Sequence, residues 1–238
     1  MTAPAGRPVP ARKLQLHSLA GRLLRAVMAR RGTALLGLDP DGRRDLALVR
    51  ETRRLAPLLM QDLPAMQILA AVRSVRPLGG ALAEAGVFMG GSARLICAAK
   101  GAAPLHLFDA FETLQGGGLG QAEQTVRDHF GQVYSTLDRV SELLAGYEGV
   151  QFHPGWFPAS AAAVRDERFC FVHLDLDLAP GTRDALAFFH PRLLPGGILI
   201  GDDYNLAEVR GTFEAFFAGT GETLIRLPWT QVMVVKGR

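Results

Sequence analysis

The stretch Gly80–Ala99, GALAEAGVFMGGSARLICAA, decides the fold, because an apolar strand-like run, ALAEAGVF, passes straight into a helix-like run, SARLICAA, through a turn carrying Gly86, Gly90 and Gly91. Glycine leaves no Cβ, so either a ligand or a neighbouring segment of chain approaches the backbone there. The spacing is GxxxGG rather than the GxGxxG of dinucleotide sites, and Glu84 precedes the turn. A carboxylate at that place suits a cationic ligand better than a pyrophosphate.

Working outward, apolar runs alternate with amphipathic ones. Strands are predicted at ALAEAGVF, PLHLFDAF, GVQFHP, FCFVHLDL, GGILIGDD, TLIRLP and QVMVVK. Helices are predicted at SARLICAAK, TVRDHFGQVYSTLDRVSELLAG, GTRDALAFFHPRLL and AEVRGTFEAFFAG, and LAPLLMQDLPAMQILAAVRSV suggests two helices broken near Pro64. Such alternation predicts an α/β, Rossmann-like fold: a mostly parallel seven-stranded sheet with helices on both faces. The short WT-containing link makes the last strand antiparallel.

The 238 residues are 48% hydrophobic, enough for one α/β domain plus an arm. Residues 1–54 hold 12 Lys and Arg against 4 Asp and Glu, leaving 14 against 19 for residues 55–238. The division expected is a basic N-terminal helical arm, 1–54, and an α/β domain, 55–238. In LAGRLLRAVMARR the charges are interleaved with Leu and Ala, not with aromatics, so the arm is expected to dock on its own body or on a second copy rather than on nucleic acid. DPDG at 39–42 is a turn signal. No run approaches a membrane span, and Cys97 and Cys170 sit in apolar contexts as reduced thiols. A soluble, cytoplasmic homodimer or higher homo-oligomer is therefore expected, without membrane or nucleic acid as partner.

Carboxylates gather at the predicted strand ends. Asp109 ends PLHLFD about 20 residues beyond the glycine turn, where it can accept from ribose hydroxyls or cap the next segment. In HLDLDL, 173–178, His173, Asp175 and Asp177 alternate with leucines in a strand that should be apolar throughout. Unpaired buried carboxylates are costly, so a cation, donors or solvent must meet them. GGILIGDDY ends in Asp202 and Asp203, and adjacent parallel strands would bring this pair beside Asp175 as hard oxygen ligands suited to Mg2+.

Taken in order, ALAEAGVFMGGSA, LFDAFETL, VQFHPGWFP, FVHLDLDL with TRDAL, and LLPGGILIGDDY resemble the macrocin O-methyltransferase (TylF/MycF-type) family over roughly residues 55–238. The resemblance implies a class I, S-adenosylmethionine-dependent O-methyltransferase acting on sugar hydroxyls of natural products such as antibiotics. Carried over by position, Glu84, Gly86, Gly90, Gly91 and Ser92 line the methionine end of S-adenosylmethionine. Asp109 holds the ribose, Phe111 lies near the adenine, and the turn Gly155-Trp156-Phe157 closes the adenine side, with Trp156 equally readable as a core anchor. Asp175, Asp202 and Asp203 hold Mg2+. The family continues LDLD with Tyr-Glu-Pro-Thr, whereas this chain has Leu178-Ala179-Pro180-Gly181-Thr182. QGGGLG, 115–120, falls where the family has a segment over the active site and is expected to be a lid hinge.

In such an enzyme the small-molecule hydroxyl acceptor must be held in line with the methyl group and relieved of its proton. Asp175 and His153 are the candidate bases, and His106 and His173 are expected to be satisfied core residues. A phenolic or other vicinal-diol acceptor would use the same metal grip. Two other classes, a nicotinamide oxidoreductase and a non-catalytic interaction protein on the same fold, are disfavoured by the glycine spacing and by the intact aspartates.

Overall fold

The computed structural model describes residues 19–32, 37–111 and 136–237. Two compact units divide the chain, Met1–Asp45 and Leu46–Arg238. In the first, α1 (Leu19–Arg30) leaves Leu23, Leu24 and Val27 exposed, and α2 (Pro40–Leu55) begins. DPDG is therefore not a free turn. Pro40 opens α2, where its missing N–H costs nothing, and the Asp39 carboxylate accepts from Gly42 N at 2.7 Å.

The second unit holds a seven-stranded sheet of β1 (Ala81–Ala85), β2 (Leu105–Asp109), β3 (Val150–Pro154), β4 (Phe169–Leu174), β5 (Leu193–Gly201), β6 (Ile225–Arg226) and β7 (Val232–Val235). Its order is β3-β2-β1-β4-β5-β7-β6. The first five are parallel and β7 runs antiparallel to both β5 and β6, as the sequence predicts. All five residues of β1 are buried because apolar layers cover both faces. Leu82, Leu107 and Phe171 face a layer containing Ile68, Leu69 and Val72 of α3 (Asp62–Val75) and Leu95 and Ile96 of α4 (Gly91–Lys100). Ala83, Val172 and Leu199 face the opposite layer, with Leu186 and Phe189 of α6 (Ala179–Phe189) and Phe213 and Phe217 of α7 (Ala207–Phe217).

Two predicted helices change. Pro64 does not break α3; it lies in the first turn, the one place where a helix tolerates proline. The chain before it, 56–61, is irregular, and one guanidinium holds it: Arg53 donates to Leu58 O (3.0 Å), Met60 O (2.6 Å) and Asp62 Oδ1 (2.9 Å). Of the helix predicted over 125–146, α5 (Leu137–Leu144) is described, with Thr136 capping Arg139 N at 3.3 Å; QGGGLG lies outside the described residues.

Protein accounts for the glycines at the turn. A Cβ on Gly86, whose φ is +88°, would lie 1.7 Å from the carbonyl oxygen of Asp175, and one on Gly91 would lie 2.5 Å from that of Pro57. The close approach is thus made by neighbouring chain, and of the two alternatives open in the sequence it is this one that requires glycine. Strand order reverses between β1 and β4, which is where ligands enter open α/β sheets.

Gly86→Ala should cost about 3 kcal/mol or more, from backbone strain plus an unavoidable clash. Gly146→Ala, where an added Cβ meets nothing within 4 Å, should stay within about 0.5 kcal/mol of the parent. Urea midpoints measure both, and equal midpoints would contradict the packing described.

Candidate active site

A cavity of about 660 Å³ opens at the carboxyl ends of the strands around that reversal. Gly86, Gly91, Ser92, Asp109 and Phe111 line it, as do Gly155, Trp156 and Phe157. The four acids Asp175, Asp177, Asp202 and Asp203 line it too, with Trp229 and Thr230 beside them.

Asp109 holds the turn together. Its Oδ2 accepts from Val87 N (2.7 Å) and Phe88 N (2.8 Å), and its Oδ1 from Phe111 N (2.7 Å). Phe88 and Phe111 have φ of +50° and +46°, so one carboxylate pins two residues in a left-handed conformation unfavourable to aromatics. Burial raises the Asp109 pKa above the ordinary carboxylate value, against the opposing pull of these backbone donors. Phe157 stacks on Phe189 with ring centres 5.4 Å apart, so part of the GWF turn is core.

The acids converge as the strand pairing requires. Carboxylate oxygens of Asp175, Asp177 and Asp203 lie within 4.8 Å of one another, and a ring nitrogen of His173 with oxygens of Asp175 and Asp202 forms a second such group. Asp202 is held on both oxygens: Oδ1 accepts from the Thr230 hydroxyl and from Asp203 N (3.0 Å), and Oδ2 from Gln231 Nε2 (3.2 Å). Asp203 keeps a buried oxygen, Oδ2, with no partner among the described residues. Burial, then the charge of Asp202, raises the Asp175 pKa well above its ordinary value and raises that of Asp203 as well. Burial and the neighbouring Asp203 bring Asp177 from 3.8 up to about 7. Asp177 and Asp203 sit at φ +59° and +57°, which aspartate tolerates better than most residues.

Three sequence-predicted residues stand elsewhere. Glu84 is 0% exposed and does not line the cavity; its Oε1 lies 2.8 Å from His173 Nδ1, because the register of β1 on β4 sets these two side by side. Burial works to lower the His173 pKa, but the hydrogen bond and charge of Glu84, with Asp175 and Asp202 nearby, raise it to about 9. Gly90 precedes α4 at φ +80° and packs on Val140 and Leu143. His153 does not reach the cavity. It stacks on Phe108, and its Nε2 is 3.0 Å from Nδ1 of His106, whose pKa burial and His153 lower to about 4. Neither His106 nor His173 is fully satisfied, since each keeps one buried ring nitrogen with no partner among the described residues.

Asp177 has no role in the sequence-based expectation, and its place in the LDLD alternation is the signal that marks it. The wall formed by Pro57–Gln61 was hidden by its helix-like pattern, and Trp229 and Thr230 by their look of a mere connection.

Residues 60–234 match the family described as macrocin O-methyltransferase (TylF). The chain belongs to that family. Among its curated relatives, the 8-demethyl-8-(2,3-dimethoxy-alpha-L-rhamnosyl)-tetracenomycin-C 4'-O-methyltransferase of Streptomyces olivaceus is 33% identical over 144 residues, 55% of each chain. The mycinamicin III 3''-O-methyltransferase of Micromonospora griseorubida is 39% identical over 61 residues, 26% of this chain and 24% of that one. The chain thus spans about half or less of the length of these relatives. Among solved structures, the O-methyltransferase NovP superposes with a TM-score of 0.62 at 22% identity, over 74% of this chain and 80% of that one. TomG of Streptomyces achromogenes, in complex with SAM, gives 0.57 at 17% identity, over 91% and 98%. These two likenesses show that this chain shares their fold.

Asp177 supplies a pH signature. Its folded pKa is raised, so the folded chain holds that proton more tightly than the unfolded chain, and stability falls as pH climbs from the ordinary 3.8 through about 7. In chelator, Asp177→Asn should melt progressively higher than the parent across that window. A difference independent of pH would contradict the assignment.

Proposed function

We propose that this chain is an S-adenosylmethionine-dependent, Mg2+-assisted O-methyltransferase acting on a hydroxyl of a small molecule, a sugar moiety of a secondary metabolite. The convergence of acids from β4 and β5 in one cavity at the strand-order reversal carries this reading, together with family membership. The rhamnosyl group in the name of the Streptomyces olivaceus relative supports the sugar.

The donor sets fit both groups. The cavity's volume lies in the ordinary range for a cofactor plus a small acceptor. Asp109, Ser92, Phe111 and Trp156 would hold S-adenosylmethionine, whose sulfonium supplies an electrophilic methyl group. Asp175, Asp202 and Asp203 would hold Mg2+, a fit supported by the unpartnered, buried Asp203 Oδ2 and by an all-oxygen set of hard donors. Bound there, Mg2+ supplies a positive charge that lowers the pKa of a nearby hydroxyl.

The chain's own groups do the rest. Thr230 and Gln231 hold Asp202 in one orientation, so its carboxylate need not reorganise. Asp175 belongs to both cation-capable groups and would be committed to ligation, whereas Asp177 belongs to one, beside Asp203. Asp177 lines the cavity in the same acid group as Asp175 and Asp203, and we assign it the base role in preference to Asp175 or the distant His153. Pro57, Leu58, Leu59 and Met60 give the cavity an apolar wall on one side. The buried, free thiols Cys97 and Cys170 accord with a reducing, cytoplasmic setting, and the uneven charge of the two parts of the sequence with a homo-oligomer.

Asp203→Ala should lower methyl transfer at least about a hundredfold, as should excess chelator on the parent. Affinity for S-adenosylhomocysteine should stay within about threefold in both cases, since the cofactor's contacts would lie beyond the β1, β2 and β3 ends. Full activity in chelator would sink the metal part of the reading.

A further inference from the structure

The turn between β6 and β7 carries a large aromatic side chain that neither the fold nor the acid cluster explains. Trp229 is 61% exposed and belongs to neither core layer. Its backbone sits at φ +71°, a conformation that bulky residues adopt only where surrounding structure imposes it. It nevertheless lines the cavity, beside Thr230, Asp202 and Asp203.

The next residues fix it there. Thr230 accepts from Tyr204 N at 2.7 Å through its carbonyl and donates to Asp202 through its hydroxyl, while Gln231 donates to the other oxygen of Asp202. One three-residue turn therefore sets both an acid of the cluster and the indole next to it. Strain maintained at a cavity wall, on a side chain that buries little of its own surface, points to a ligand as the missing partner.

We propose that Trp229 is the acceptor-binding surface of the site, on which the C–H face of a pyranose ring lies while a ring hydroxyl points toward Asp177 and Asp203. The proposal rests on the O-methyltransferase reading and names the residue that recognises its acceptor. A pyranose has an apolar face of C–H bonds and a rim of hydroxyls. The indole offers a broad, electron-rich apolar surface for the first, and the neighbouring carboxylates accept hydrogen bonds from the second. Few side chains could serve as well at a strained turn, because the rigid ring keeps its contact area with little rotamer entropy to lose.

The chain has two tryptophans, so Trp229→Phe leaves Trp156 as the lone emitter. With the protein saturated by S-adenosylhomocysteine, methyl α-L-rhamnopyranoside should change the tryptophan emission of the parent saturably and leave that of Trp229→Phe unchanged. Trp229→Gly should bind the rhamnoside roughly tenfold or more weakly by calorimetry. It should keep its S-adenosylhomocysteine affinity and melt no lower than the parent, because glycine adopts φ +71° freely. The proposal is overturned by a silent parent, by a signal surviving in Trp229→Phe, by a response to catechol but not to the rhamnoside, by unchanged rhamnoside affinity in Trp229→Gly, or by a clear drop in its melting temperature. If S-adenosylhomocysteine binds in those cases, the assignment of Trp229 alone fails; if it does not bind, the methyltransferase reading beneath it fails as well.

Discussion

The carbonyl of Asp175 lies where Gly86 would carry a side chain, and the remainder of the site depends on that contact. Asp175 N donates to Ala85 O at 2.9 Å and Gly86 N to Phe108 O at 2.9 Å, so the ends of β1, β2 and β4 are locked together at the reversal of strand order. From this lock the chain leaves in fixed directions. The β1 turn runs under Asp109 into α4, the end of β4 carries Asp175 and Asp177 along the cavity wall, and β5 delivers Asp202 and Asp203 beside them. A looser crossing would scatter groups whose use depends on their being within a few ångströms of one another.

Collecting four carboxylates at one edge is unfavourable by itself. Burial and mutual repulsion raise the pKa of Asp175, Asp177 and Asp203, which means that the folded chain resists ionising them. The protein offsets part of this with donors to Asp202 and with His173, whose ring is held from behind by Glu84. The remainder is the kind of cost that persists where a cation is expected, since the same sequence without such a use would be more stable with fewer acids.

The sheet was legible because length and composition report it: short, aromatic-rich apolar runs such as FCFVHL suit a strand covered on both faces, and the short WT link leaves no room for a parallel crossover. Strand adjacency alone predicts Asp202 and Asp203 near Asp175; that they meet it in two separate groups, Asp202 with His173 and Asp203 with Asp177, was not legible. What escaped depends on side-chain direction and on three-dimensional register. Glu84 and His153 sit at the right strands yet each turns to a histidine of the neighbouring strand, Glu84 to His173 and His153 to His106. Asp177 and Trp229 reach the cavity through left-handed backbone at non-glycine residues, which no propensity announces. Proline and DPDG misled for a related reason, because residues that make turns also make the first turn of a helix.

The central claim is that these acids form a divalent-cation site, and Mn2+ titration followed by electron paramagnetic resonance tests it most directly, because the signal of free Mn2+ disappears as the ion is captured. The account predicts saturable capture of one ion per chain, displaced by excess Mg2+ and lost in Asp203→Ala. Free Mn2+ signal undiminished at millimolar ion, or capture unaffected in Asp203→Ala, would contradict it.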